Sequence, residues 1–176
     1  MIKATKKDFT SEPMDEGAYP ARIYKIIHIG TVLNPAFGTM HNIAQIGFEF
    51  PTETKVFNPE KGEQPYVLSQ DYTLSFGDKA NLKKVIDACD PKALKISDDG
   101  FINEYDVENL IGKTCLVTVI HKTGKNGNTY ANVGGVTVLP KGMTVPSAVN
   151  PVQKLSYDNW DEEYFNSLPD FIKSKI

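Results

Sequence analysis

Leu82, Val85, Ile86 and Cys89 stand at i, i+3, i+4 and i+7, the spacing of one helical face. The residues on either side obey a different period. Upstream, Ala44, Ile46, Phe48 and Phe50 alternate with Ile43, Gln45, Gly47 and Glu49, the pattern of a half-buried antiparallel strand. Downstream, residues 115–120 form a nearly continuous Cys-Leu-Val-Thr-Val-Ile run. A chain that passes from strands to one helix and back to strands has few architectures open to it. Asp78 is placed to cap that helix and Pro91 to stop it.

Gly17 opens a first strand rich in β-branched and aromatic residues. Ile23, Ile27 and Ile29 fall on one face of it, with Lys25 interrupting, and Arg22, Tyr24, Ile26 and His28 on the other. Residues 30–40 are turn-rich and predict a long first loop. The second strand spans about 41–50 and ends at Pro51; residues 52–65 predict another loop, and Tyr66 to about Phe76 a third strand. After the helix, Asp98-Asp99-Gly100 is a turn, and Val107, Leu110 and Ile111 mark a short helical turn ending at Gly112. Strand four (Lys113 to Lys122) and strand five (Thr129 to Leu139) meet at a hairpin signalled by Asn126-Gly127, and Gly134-Gly135 predicts a bulge or a close backbone approach. Three strands, a helix and two strands predict an all-β domain with minor α content: a five-stranded oligonucleotide-binding (OB) barrel over residues 17–140, its helix between strands three and four. An SH3-like barrel lacks that helix, and a lipocalin-like sheet needs about eight strands. Residues 1–16 read as a polar arm. Residues 141–176 read as a proline-spaced linker and an acidic-aromatic tail, and Trp160, Tyr164, Phe165, Leu168 and Phe171 leave open whether that tail docks as a helix or stays free.

Composition narrows function by exclusion. The net charge of −3 resides in residues 157–176, leaving 17 acids and 17 bases in residues 1–156. Arg22 is the only arginine among 19 basic residues. Base-specific readout of a duplex favours bidentate arginine, so sequence-specific duplex recognition is not expected. The histidines His28, His41 and His121 are scattered, no phosphate-cradling glycine motif occurs, and no carboxylate pair suggests acid–base chemistry; neither an enzyme nor a cofactor is expected. No apolar run reaches membrane-spanning length and the N-terminus does not read as an export leader. With Cys89 and Cys115 read as reduced, buried thiols, the expected compartment is the cytoplasm.

Sequence-tolerant binding of a single strand needs a mildly positive groove and aromatic faces for bases to stack on. The candidates are Arg22, Tyr24, Lys25 and His28 on strand one, Phe37 with Met40 in the first loop, Tyr72 on strand three, and Lys122, Lys125 and Tyr130 around the last hairpin. The hairpin group is the most suggestive, because a basic tip lies beside an aromatic at a strand start.

Several ordered segments resemble a family of tailed bacteriophages. They are Gly17-Ala-Tyr-Pro-Ala-Arg-Ile-Tyr24, Gly47-Phe-Glu-Phe-Pro51, Asp71-Tyr-Thr-Leu-Ser75, Asn81-Leu-Lys-Lys84, Leu110-Ile-Gly-Lys-Thr-Cys-Leu-Val117, Tyr130-Ala-Asn-Val133, Leu139-Pro-Lys-Gly-Met143 and Leu168-Pro-Asp-Phe-Ile-Lys-Ser-Lys-Ile176. The chain is similar, over about residues 16–176, to phage single-stranded-DNA-binding proteins with an OB fold. The resemblance implies protection of single-stranded DNA in phage replication or recombination inside a bacterial host, without catalysis; the residues alone leave DNA against RNA, and oligomeric state, open. It also implies a flexible acidic tail that contacts replication proteins, here Asp158, Trp160, Asp161, Glu162, Glu163 and Phe165. Lys173, Lys175 and Ile176 depart from the acidic tip such tails carry. The alternative is a protein–protein adaptor or structural phage component on the same barrel.

Overall fold

A computed structural model describes residues 13–75, 77, 79–94 and 104–176. Five strands make the barrel: β1 (Gly17–Asn34), β2 (Thr39–Asn58), β3 (Gly62–Thr73), β4 (Thr114–Thr123) and β5 (Thr129–Thr137). Their order is β3-β2-β1-β4-β5, with β2 and β4 both antiparallel to β1. The barrel is nearly closed, in OB-like fashion. Where β3 comes up to β5, helix α1 (Asn81–Cys89) sits at the seam and contacts both. Its Leu82, Val85, Ile86 and Cys89 are buried in the barrel core beside Phe48, Phe50 and Val117. Ala80 occupies the cap position, with no side-chain cap; Asp78 and the Asp98-Asp99-Gly100 turn lie outside the described residues.

The strands run longer than expected. β1 continues to Asn34 and turns within four residues into β2, so the long first loop is a tight hairpin. Pro51 does not end β2. The register slips between Phe50 and Thr54, and pairing resumes as far as Asn58. A bulge tolerates the proline because the irregular stretch needs no ladder donor from it.

The faces of β1 also differ from the simple alternation. The register steps from Ile23↔Phe48 to Lys25↔Gly47, leaving Tyr24 as an extra residue. One inserted residue moves everything after it to the opposite face. Ala21, Ile23 and Ile26 thus enter the barrel core, while Ile27 and Ile29 turn outward into a second cluster with Leu155, Leu168 and Ile172. A bulge falls at Gly134 too, where Thr118↔Gly135 is followed by Val119↔Val133. A Cβ there would lie 2.7 Å from Ile120, so the close approach requires glycine.

The C-terminal fifth is not a free tail. After β5 the chain runs as an extended strap and returns as β6 (Gln153–Leu155), parallel to Lys25–Ile27 of β1. Glu49, 0% exposed, holds the strap: its carboxylate accepts the Val149 N–H (3.0 Å), the Asn150 N–H (2.7 Å) and the Asn150 side-chain amide (2.8 Å). Arg22, opposite Glu49 in the register, donates to the Pro146 carbonyl. Two short helices, α2 (Glu162–Ser167) and α3 (Asp170–Lys173), follow, and Leu168 and Ile172 seat them on Ile27 and Ile29. At the other terminus Met14 is buried, and the Glu16 carboxylate accepts the His121 N–H at 2.8 Å. No helix among the described residues is long and apolar enough to cross a membrane.

Candidate nucleic-acid interface

Of the outward face of β2 and β3, which OB folds commonly use for single strands, the β2 half is covered by the chain itself, while Val67, Ser69, Asp71 and Thr73 of β3 stay exposed. Glu49 is bound by the strap, and Lys175 pairs with Asp71 at 3.1 Å. Glu49 is thus buried under the strap, while Asp71 stays exposed beside Lys175.

Most of the expected strand-one and strand-three contacts are therefore corrected. Tyr72 is 4% exposed in the barrel core and Tyr24 is 7% exposed beside the strap, so neither ring offers an open face to a base on the strand surface. Burial drives both phenols up, Tyr24 to about 12, and the nearby Glu49 adds to the effect there. Lys25 lies half-buried against Gly47, where a Cβ would meet its own Cβ at 2.9 Å, and desolvation lowers its ammonium pKa. Arg22 is committed to Pro146, and His28 bonds Asn42 (2.8 Å) under the ring of Tyr157 (4.8 Å). Phe37 is 79% exposed, but it sits in the β1–β2 turn, at the opposite end of β1 from the last hairpin.

The hairpin group stays together. Lys122 pairs with Tyr130 across β4 and β5, and Lys125 lies in the 124–128 turn, where Gly127 adopts φ +80°. One side of the Tyr130 ring rests on Gly124, where a Cβ would clash at 2.8 Å, and the residue remains 48% exposed. Asn126 fixes the ring: its side-chain amide donates to the Tyr130 hydroxyl at 2.8 Å, while its oxygen accepts the Asn128 N–H at 3.0 Å. The result is an aromatic platform held by contacts within its own hairpin, and such preorganisation reduces the entropy lost on binding. The roles of Gly124 and Asn126 were not apparent in the sequence beyond their turn chemistry. A further cue was present: residues 109–157 contain five lysines and no acid, a local excess that the neutral total over residues 1–156 conceals.

The donated bond from Asn126, with a contribution from Asn128, stabilises a Tyr130 phenolate and lowers its pKa below the usual 10. Burial instead raises Tyr24 and Tyr164 to about 12. In an alkaline titration followed at 295 nm, Tyr130 is expected to ionise first, and Tyr130→Phe to remove that early step. The same shifts carry a sign for stability. Unfolded tyrosine ionises near pH 10 while the buried phenols stay protonated, so their contribution is intact below about pH 10 and is lost as pH rises towards 12. A stability plateau extending through pH 12 would contradict this.

The tail residues form a fixed surface. Asp161 caps α2 by accepting the Tyr164 N–H at 2.9 Å, and the Trp160 indole donates to Glu162 at 2.6 Å. Trp160 stacks on Tyr157 (6.1 Å) and touches Phe165 (4.9 Å), continuing a row of rings that starts at His28. Asp158, Glu162 and Glu163 are exposed in the same segment, with Glu162 bonded to Trp160, and disfavour a phosphate backbone there. Among the described residues no three His, Cys, Asp or Glu side chains cluster in a metal-binding arrangement. No family model matches this chain, and no curated protein does.

Proposed function

We propose that this chain is a non-enzymatic, sequence-tolerant single-stranded-DNA-binding protein acting in phage DNA replication or recombination. The observation that carries the proposal is the Tyr130 platform, held by Asn126 with Lys122 across the ladder and Lys125 in the adjoining turn, on a hairpin whose own sequence carries no acid. A stacked base gains roughly 1–3 kcal/mol on such a ring, and the lysines supply phosphate contacts without reading sequence. The OB-like barrel and the resemblance to phage single-strand binders point the same way.

Fluorescence anisotropy with a 30-nucleotide oligo-dT across a salt series tests it. The expected result is micromolar or tighter binding at low salt that weakens steadily as salt rises. No anisotropy change at low salt would remove the proposal.

One feature favours a second function, an adaptor for a protein partner. The exposed rings of Tyr157 and Trp160 lie among Asp158, Glu162 and Glu163, which suits a basic, aromatic-accepting protein surface better than DNA. Capture of a replication or virion protein by the wild type, lost in Trp160→Ala, together with absent oligonucleotide binding, would select this alternative.

A further inference from the structure

We infer that the turn end of the β2–β3 hairpin and the strap together form a pocket for a single nucleobase, with Lys61 placed for the adjoining phosphate. The inference rests on the proposal that the chain binds single-stranded DNA, and it locates a contact that the hairpin platform does not supply. The pocket is about 350 Å³, within the range that accommodates small ligands. Phe57 and Tyr66 meet edge to face at 5.1 Å on one wall, and Phe57 is 50% exposed. Tyr24 lies deeper, and the strap closes the far side with Asn150 and Gln153.

The chemistry of this lining is specific. Four side-chain amides contribute, and each has one end bound within the protein. The Asn58 oxygen accepts the Glu60 N–H (3.0 Å), and the Gln153 oxygen accepts the Tyr164 hydroxyl (2.9 Å). The Gln64 amide donates to the Lys61 carbonyl (3.1 Å), and that of Asn150 donates to Glu49 (2.8 Å). The opposite ends are two NH₂ groups, from Asn58 and Gln153, and two carbonyl oxygens, from Gln64 and Asn150. A planar heterocycle with donors and acceptors along its edge and an apolar face matches that set.

Charge separates this pocket from a larger one. A cavity of about 450 Å³ beside His28 is lined by Asp106, Glu108 and Asp158, which repel a nucleotide's phosphate. Among the described residues that line the pocket at Phe57 there is no carboxylate, and Lys61 is the single cation. Position agrees as well. Because β2 and β4 both run antiparallel to β1, their following turns, at 59–61 and 124–128, leave the barrel at the end where β1 begins. One strand can therefore meet Tyr130 and Phe57 on the same end of the molecule.

The test uses the full chain and an oligo-dT 30-mer carrying 5-iododeoxyuridine for photocrosslinking. Phe57→Ala is expected to weaken binding at least fivefold, Phe57→Tyr to bind like the wild type, and Lys61→Glu to weaken binding with a shallower salt dependence. Crosslinks are expected on the peptide containing Phe57 and Tyr66. Thermal melts of each variant keep a folding defect from passing as lost binding. Unchanged affinity in both Phe57→Ala and Lys61→Glu, with crosslinks confined to the last hairpin, would overturn the pocket while leaving DNA binding intact. If the wild type fails to bind the oligonucleotide, the DNA proposal fails separately, and titration with millimolar dTMP decides the pocket. NMR shifts of the Asn58, Gln64 and Gln153 side-chain amides retain it as a nucleotide site; their absence, or equal shifts with a neutral oligosaccharide, removes it.

Discussion

Reversing both hairpin charges, Lys122→Glu with Lys125→Glu, is expected to weaken oligo-dT binding roughly 10- to 100-fold at 50 mM salt. The magnitude follows from counterion release. Each phosphate contact to a single strand contributes about 0.7 to the slope of log K against log salt, so two lost contacts lower the slope by about 1.4 and affinity by more than tenfold at low salt. Both lysines are exposed and neither takes part in an ion pair among the described residues, so the melting temperature is expected to hold. The decisive pattern is a shallower salt slope at unchanged stability. Equal slopes for variant and wild type would move the phosphate track off this hairpin.

Those two lysines and Tyr130 were legible because a hairpin is a local structure. Asn126-Gly127 announces the turn, strand pairing then sets Lys122 against Tyr130, and no distant residue is needed to bring them together. The fold was legible for a related reason. Alternation at Ala44 to Phe50 and helical spacing at Leu82 to Cys89 each report the face that meets the core, and both sets are buried, but the strand is not half-buried, because Gln45, Gly47 and Glu49 on its other face are buried too.

What stayed hidden depends on contacts between segments far apart in sequence. Tyr24 and Tyr72 look alike in a strand pattern whether their rings face solvent or core; the bulge at Tyr24 and the closure of β3 around α1 decide it. Pro51 looks like a terminator because a proline cannot donate to a ladder, yet a register slip accommodates it. The strap was the hardest feature to see. Pro140, Pro146 and Pro151 space it like a linker, and what ties it down is a three-residue parallel pairing, the Arg22 bond to Pro146 and a carboxylate about 100 residues upstream. Glu49 itself reads as the polar half of an alternating strand, the position that normally faces water.

That carboxylate yields the other large expected effect. Glu49→Gln preserves volume and length but turns one acceptor oxygen into an NH₂ group facing N–H donors. With two backbone N–H groups and one amide converging on Glu49, at least one buried donor loses its partner, and a charge-assisted bond is lost with it. The expected cost is about 2–4 kcal/mol, or a fall in melting temperature of about 5–10 °C for a chain of this size. The strap should loosen first, since Arg22 to Pro146 and the short β6 ladder are its neighbouring holds. Trypsin is therefore expected to cut after Lys141 or Lys154 in Glu49→Gln under conditions that leave the wild type whole. Because Asn150 and Gln153 lie on the same strap, oligonucleotide affinity should fall in parallel with the loss at Phe57→Ala. A variant that melts with the wild type and resists trypsin equally would mean that the strap is held by its apolar seat on Ile27 and Ile29 rather than by the buried carboxylate.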